Sequence, residues 1–215
     1  MAIVKAPFVI IGTIGDLNFF LDQGKVNRVR AKGKSGITAE QFKTNPIFNT
    51  IKKHGIEFGQ ASKKSRLFRF LTLQFNRRAK DVSFAGRANK VMFEILEEDT
   101  LNQRGERTVE NGLNTTEGVN LLIGFEGNKL KPLYQTLKIK GKWNAESETF
   151  NISKLSLLED IVWPETATIV HLAVAQTNWD YEKDTFKTAY SEEIIVEKED
   201  KSIDISLSPE KLKGD

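Results

Sequence analysis

Residues 54–71 read HGIEFGQASKKSRLFRFL, and this stretch determines both the packing and the charge of the chain's central region. From residue 58 to residue 80, small and apolar residues recur every three or four positions, which predicts a long helix with one buried side. The predicted buried positions are Phe58, Ala61, Ser65, Phe68, Thr72, Phe75 and Ala79. Basic residues occupy other positions of the same helix, and we take these as candidate partner-binding residues: Lys63, Arg66, Arg69, Arg77 and Lys80.

The basic face has three interpretations. It is the solvated back of a packed helix, a docking face for an acidic protein, or a surface that neutralises nucleic-acid phosphates. The aromatic residues keep core spacing and are not displayed among the charges, which disfavours base stacking. No helix-turn-helix, zinc-finger or RNA-binding-sheet motif accompanies the basic residues.

The composition excludes several kinds of chemistry. The chain has 215 residues, no cysteine and two histidines, so disulfide bonds, zinc–thiolate sites and thiol catalysis are excluded. No nucleophile-elbow motif is present, and the glycines at 12, 15 and 24 lack the spacing of a phosphate-binding loop. We therefore expect a protein without enzymatic activity, with no catalytic residue, no metal ligand, no cofactor and no small-molecule substrate.

Charge is distributed unevenly along the chain. Residues 1–90 carry 18 Lys/Arg and 5 Asp/Glu, a balance of +13, whereas residues 91–215 carry 14 Lys/Arg and 24 Asp/Glu, a balance of −10. Such asymmetry indicates two regions with different surroundings. Together with the element pattern, it predicts a basic hairpin-plus-helices region at 1–128 and an acidic β-sandwich-like region at 129–215.

The N-terminal region is predicted to begin with strands and continue with helices. Short apolar runs within residues 7–32 are separated by Gly15-Asp16 and by residues 22–24, which favour tight turns. Thr38 and Asn45 have the residue types of helix N-caps, and Pro46 suits a first helical position. Residues 83–98 predict a further helix whose apolar side carries Phe84, Ala88, Val91, Met92, Ile95 and Leu96.

The C-terminal region is predicted to be β. Apolar and lysine residues alternate from 137 to 143, which is typical of a half-buried strand. Residues 166–179 read TATIVHLAVAQTNW and predict one long central strand, followed by shorter strands within 185–198 and 202–207. The predicted fold class is therefore α+β, with an N-terminal β-hairpin plus helical region and a C-terminal antiparallel β-sandwich-like region.

Trp163 is a candidate interface aromatic. It lies in LLEDIVWPETA, a predicted loop or edge, where a tryptophan can bury a large area on a partner at low entropic cost. The alternative is that Trp163 packs across the sandwich.

The first 90 residues resemble a family of small, mostly uncharacterised proteins of Bacteroidota. The resemblance is carried by GTIGDLNFF at 12–20, QGKVNRVRAKG at 23–33 and NPIFNTIKKHGIEFGQASKKSRLFR at 45–69. The family includes the plug of the type IX secretion translocon. The resemblance therefore implies protein binding: docking at the periplasmic mouth of a large outer-membrane barrel and blocking it.

The location of the protein has two interpretations. The resemblance implies the periplasmic face of the outer membrane. The apolar patch FVIIGTIG at 8–15 is short and interrupted by glycine, so we expect a first β-strand there rather than a cleaved signal peptide. A cytoplasmic location is the alternative, and nucleic-acid binding or a phage-structural role is the alternative function.

Overall fold

A computed structural model describes residues 2–33 and 36–212, and the protein is α+β as predicted. The chain divides into two compact units, Met1–Asn49 and Thr50–Asp215. The long helices and the C-terminal strands belong to the same compact unit. The division into a basic region at 1–128 and an acidic region at 129–215 stays a prediction.

The first unit contains a four-stranded antiparallel sheet with the strand order β1-β4-β3-β2. Its strands are β1 (Ala2–Ile3), β2 (Gly12–Ile14), β3 (Leu17–Leu21) and β4 (Asn27–Ala31). Gly15 has a φ of 57° in the two-residue turn between β2 and β3, where the absence of a Cβ removes the steric cost. The next turn is closed by Asp22, whose Oδ1 accepts a hydrogen bond from the Val26 amide over 2.9 Å.

The strand register places most apolar side chains of this sheet on one face, and the arginines of β4 together with Phe20 on the other. Phe19 pairs with Val29, and Leu17 pairs with both Ile14 and Ala31, so these residues share one face. The opposite face carries Arg28 and Arg30 on β4. Among residues 2–33 and 36–49, no residue is buried.

Two short helices follow within the first unit. Helix α1 (Ala39–Thr44) begins at the predicted cap, where Thr38 Oγ1 accepts from the Gln41 amide and the Gln41 side chain accepts from the Thr38 amide. A 3-10 turn (Pro46–Phe48) is capped by Asn45, whose Oδ1 accepts from the Ile47 amide over 3.0 Å. Both predicted caps are confirmed.

The helices of the second unit differ from the sequence prediction at one point. They are α2 (Asn49–Leu71), α3 (Leu73–Ala79), α4 (Phe84–Glu97), α5 (Val109–Leu113), α6 (Thr116–Asn120) and α7 (Leu133–Thr136). The continuous helix predicted from 58 to 80 is wrong, because the chain leaves helical geometry at Thr72. The Leu71 carbonyl there accepts hydrogen bonds from the hydroxyls of Thr177 and Thr188, side chains distant in sequence.

The buried side of α2 is also displaced from the predicted one. Phe58, a predicted core position, is 47% exposed, whereas the neighbouring Glu57 is fully buried. Ala61 and Ser65 are buried as predicted. Burial of Glu57 is compatible with its charge because Arg107 pairs with it.

Helix α4 follows its prediction closely. All six of its predicted apolar positions are buried. Four of them, Val91, Met92, Ile95 and Leu96, pack in a helical core with residues of α2 and α5. Trp179 and Tyr181 pack against the same core.

The C-terminal strands form three separate antiparallel sheets with the orders β11-β6-β5, β10-β7 and β8-β9. The strands are β5 (Lys142–Asn144), β6 (Thr149–Ser156), β7 (Ile169–Leu172), β8 (Ala175–Asp180), β9 (Thr185–Tyr190), β10 (Ile194–Glu197) and β11 (Ser202–Leu207). The single long strand predicted at 166–179 is wrong, since it is divided between β7 and β8. At the break, the Val174 amide donates to Ser191 Oγ over 3.0 Å.

A second hydrophobic core lies in the β region of this unit. Its fully buried members include Leu155 and Leu157, and Ile152, Leu137 and Ile161 join them at low exposure. The second unit thus contains a helical core and a β core. The β8–β9 hairpin contributes Trp179 to the helical one.

Candidate functional site

Four of the five predicted basic residues line one groove, with a volume of about 490 Å³: Arg66, Arg69, Arg77 and Lys80. The groove is formed by the C-terminal part of α2, by α3 and by the start of α4. We call it the basic groove and define it by these four residues together with Phe70, Asp81 and Val82. Lys63 does not line it and is exposed elsewhere on α2.

The break at Thr72 brings basic residues of two helices together. Asn76, buried on α3, donates from Nδ2 to the Arg69 carbonyl over 2.9 Å and to Thr72 Oγ1 over 3.2 Å. These bonds connect α3 to the last turn of α2. Arg77 and Lys80 therefore line the same groove as Arg66 and Arg69 although the helix is interrupted.

The basic side chains of the groove are not paired with carboxylates of the described residues. Arg69 is half-buried, and its Nη1 donates to the neutral acceptors Ser65 Oγ and Asn89 Oδ1 over 3.2 and 3.3 Å. Arg66, Arg77 and Lys80 are exposed. Among the described residues, none of these four cations forms an ion pair, so their charge is available to an anionic partner.

Asp81 is the one carboxylate among the described residues that line the groove, and its charge is already compensated. It pairs with Arg87 over 2.9 Å and accepts hydrogen bonds from Ser83 and from the Lys129 amide. Burial alone would raise the pKa of Asp81, but the hydrogen bonds and Arg87 outweigh it and lower the pKa to about 2. The groove therefore keeps a positive net charge at neutral pH.

Apolar side chains are displayed beside the cations. Phe70 is 40% exposed and Val82 is fully exposed, and both line the groove. A surface that combines charge with exposed apolar area is typical of interaction sites rather than of a purely solvated helix back.

The structure places Trp163 within the β region, where it makes contacts inside the fold. It is half-buried against the β core, and its Nε1 donates to the Leu157 carbonyl over 2.6 Å. The ammonium of Lys198 lies 5.9 Å from the centre of its ring. These contacts support the packing alternative, and an interface role for Trp163 stays a prediction.

Sequence reasoning missed Lys64, which is buried beside the predicted candidate Lys63. Its Nζ donates to the Tyr181 carbonyl and to Asp184, and lies 2.5 Å from Glu110 Oε1. Burial alone would lower the pKa of Lys64, but hydrogen bonds to Asp184 and Glu110 outweigh burial and raise it. Its spacing of three from Ala61 and four from Phe68 places it on the buried side, which is the signal that could have identified it.

Within residues 2–33 and 36–212, no three or more His, Asp or Glu side chains come together in a geometry that could hold a metal ion. In the same part of the chain, no helix combines the length and apolar character needed to cross a bilayer.

No protein-family model, no curated protein and no solved structure matches this chain.

Proposed function

We propose that this chain is a non-enzymatic protein-binding module that docks an acidic surface of its partner in the basic groove. The observation that carries the proposal is the convergence of Arg66, Arg69, Arg77 and Lys80 on one groove. Four cations that form no ion pair with any described residue favour an anionic partner, and complementary charge sets the orientation and association rate of such a complex.

An acidic protein fits the groove better than a nucleic acid does. Proteins that bind single strands combine basic grooves with several stacking aromatics. Phe70 is exposed in this groove, whereas Phe84, its other aromatic residue, is buried. The exposed Val82 and Phe70 instead provide contacts for apolar side chains that accompany the partner's carboxylates.

The periplasmic mouth of an outer-membrane secretion channel, the partner implied by the sequence resemblance, is the first candidate for that acidic surface. In this role the chain blocks the channel by contact and performs no chemistry. A nucleic acid held by its phosphates is the alternative partner.

The proposal is tested with a charge-reversal pair and a matched control. The double variant Arg66→Glu/Arg77→Glu reverses two groove charges, and Lys63→Glu/Lys90→Glu makes the same change in net charge outside the groove. Two labelled probes are titrated by fluorescence anisotropy at several salt concentrations: a peptide of alternating glutamate and leucine, and a single-stranded oligo-dT. Solubilised outer membranes of a Bacteroidota species are then passed over immobilised wild type and both variants.

We expect the acidic peptide to bind the wild type and the Lys63→Glu/Lys90→Glu variant, and to lose affinity for the groove variant. We expect one outer-membrane barrel protein to follow the same pattern. Peptide binding that survives in the groove variant would overturn the assignment of the groove. Tighter binding of oligo-dT than of the peptide, with a steep salt dependence, would replace the protein partner with a nucleic acid.

A further inference from the structure

Helix α3 also lines a second cavity, of about 430 Å³, with a different set of side chains. This volume lies within the range of about 300–1,000 Å³ typical of small-molecule sites. The other walls come from residues 126–137, from Ile161 and from β7. This cavity is distinct from the basic groove, since of the described residues that line them the two share only Asn76 and Lys80.

The cavity walls are largely apolar. They are formed by Phe75, Leu133, Leu137, Ile161, Val170 and Leu172. Leu137 and Ile161 are 6% and 5% exposed and belong to the β core, so they form a fixed wall. Leu133 is 49% exposed and stands at a more open position.

Most polar groups of the cavity already have partners within the protein. The Glu126 carboxylate accepts from the Leu133 amide over 3.2 Å, and Asn128 Oδ1 accepts from the amides of Leu130 and Lys131. His171 is bonded through Nδ1 to Glu193 over 2.9 Å.

The ammonium groups of two lysines of the cavity, unlike these polar groups, have no partner among the described residues. Lys80 and Lys131 line the cavity and are exposed, and neither ammonium has a hydrogen bond or ion pair with any other residue that the structure describes. Apolar walls with two uncompensated cations match a ligand that has a hydrocarbon body and an anionic head.

We propose that this cavity binds an aliphatic carboxylate, with its chain against the apolar walls and its head group between Lys80 and Lys131. Burial of the chain supplies most of the affinity. The two ammonium groups select an anionic head over a neutral or cationic one, and Glu126 at the same cavity adds repulsion that limits how strongly the anion is held.

The test is isothermal titration calorimetry of the full chain with decanoate, decanol and decylamine, each below its aggregation concentration. We expect saturable binding of decanoate, weaker binding of decanol and the weakest binding of decylamine. Equal binding of all three, or no saturable binding of decanoate, would overturn the proposal.

Variants of residues that line the cavity test whether decanoate binds there. Lys131→Glu should weaken decanoate binding several-fold, whereas Lys129→Glu, the same change at an exposed lysine outside the cavity, should leave it unchanged. Leu133→Trp places a large ring at a half-exposed position and should abolish binding with little loss of stability. Decanoate binding that is unchanged in both Lys131→Glu and Leu133→Trp would contradict the site.

The proposals for the cavity and for the basic groove can be tested separately. Lys131 and Leu133 do not line the basic groove, and Arg66 does not line the cavity. The Arg66→Glu/Arg77→Glu variant should therefore bind decanoate as the wild type does. Loss of decanoate binding in that variant would place the ligand in the groove instead.

Discussion

Arg107 donates from Nε and Nη2 to the two carboxylate oxygens of Glu57, over 2.8 and 2.9 Å. Glu57 is fully buried in α2, and the Gly105 amide donates to the same carboxylate over 2.7 Å. The bond from Arg107 lowers the pKa of Glu57 against the opposing effect of burial, and the Gly105 amide adds to the lowering. This pair joins the segment before α5 to the longest helix of the chain.

We predict that Arg107→Ala destabilises the second unit by about 3–5 kcal/mol, because it leaves the Glu57 charge buried without its partner. Urea denaturation followed by circular dichroism measures the change. The control is Lys90→Ala, which removes an exposed pair with Glu94 and should cost less than about 1 kcal/mol.

The double variant Glu57→Met/Arg107→Met separates the cost of an unpaired charge from the value of the pair. Replacing both partners with apolar residues of similar size is often close to neutral. We expect the double variant to be clearly more stable than Arg107→Ala. If it is equally unstable, the Gly105 contact and not the ion pair is the stabilising feature.

A second prediction concerns acid and Asp99, which is 4% exposed after the end of α4. Burial would raise the pKa of Asp99, but bonds from Asn102, Asn111 and the Thr108 and Leu101 amides outweigh it and lower the pKa from 3.8 to about 2. Because the pKa of Asp99 is lower in the folded protein than in the unfolded chain, the ionised carboxylate stabilises the fold at pH values above 3.8. That stability is lost as pH falls through 3.8 toward 2.

Asp99→Asn should therefore destabilise the protein most at neutral pH. The difference in unfolding free energy between wild type and variant should shrink as the pH is lowered from about 6 to about 3. Urea titrations at a series of pH values measure this difference. A difference that does not change with pH would show that geometry, and not charge, makes Asp99 important.

The apolar side of α4 could be predicted from the sequence, because helix amphipathicity is a local property. The burial of Glu57 could not be predicted, since its partner Arg107 lies 50 residues away. Helical spacing could have placed Lys64 on the buried side, but not its partners Tyr181 and Asp184, which lie 117 and 120 residues away. The same distance explains the missed break at Thr72, where side chains of β8 and β9 bind the Leu71 carbonyl.

The basic groove was predicted in part. Helical spacing identified the cations at 66, 69, 77 and 80, but it also included Lys63, which faces elsewhere. Helical spacing identifies which residues share one face of a helix, whereas a groove also requires residues from neighbouring segments. In the basic groove these residues are Asp81, Val82 and the first residues of α4, whose positions depend on tertiary packing.

Two glycines with different surroundings give a third prediction. A Cβ at Gly112 would meet the backbone carbonyl of Ile95 well inside contact distance, whereas a Cβ at Gly59 in α2 would meet nothing within 4 Å. We expect Gly112→Ala to lower the melting temperature, because neither backbone can give way easily. Gly59→Ala should raise stability by about 0.5–1 kcal/mol through its higher helix propensity. Differential scanning fluorimetry compares both; equal effects would contradict this account.

The adjacent lysines of α2 give a fourth prediction. Lys64 is buried and bonded to the Tyr181 carbonyl and Asp184, whereas Lys63 is exposed. Lys64→Met removes a buried cationic donor from the Tyr181 carbonyl and from Asp184 and should cost about 1–3 kcal/mol, and Lys63→Met should be close to neutral. Chemical denaturation of both variants checks this. Equal stability of the two would show that the contact with the β8–β9 turn does not stabilise the fold.

The last prediction concerns local stability in the first unit. Its four-stranded sheet has backbone pairing throughout, but none of the described residues in 2–33 and 36–49 is buried. Local opening of such a region exposes little apolar surface, so its free-energy cost is low. In native-state hydrogen exchange read by mass spectrometry, amides of β3 and β4 should exchange much faster than those of α4, whose core side is fully packed. Equal protection in both regions would mean that the apolar face with Leu17 and Phe19 is covered in solution, and testing whether this protection depends on protein concentration would show whether a second copy covers it.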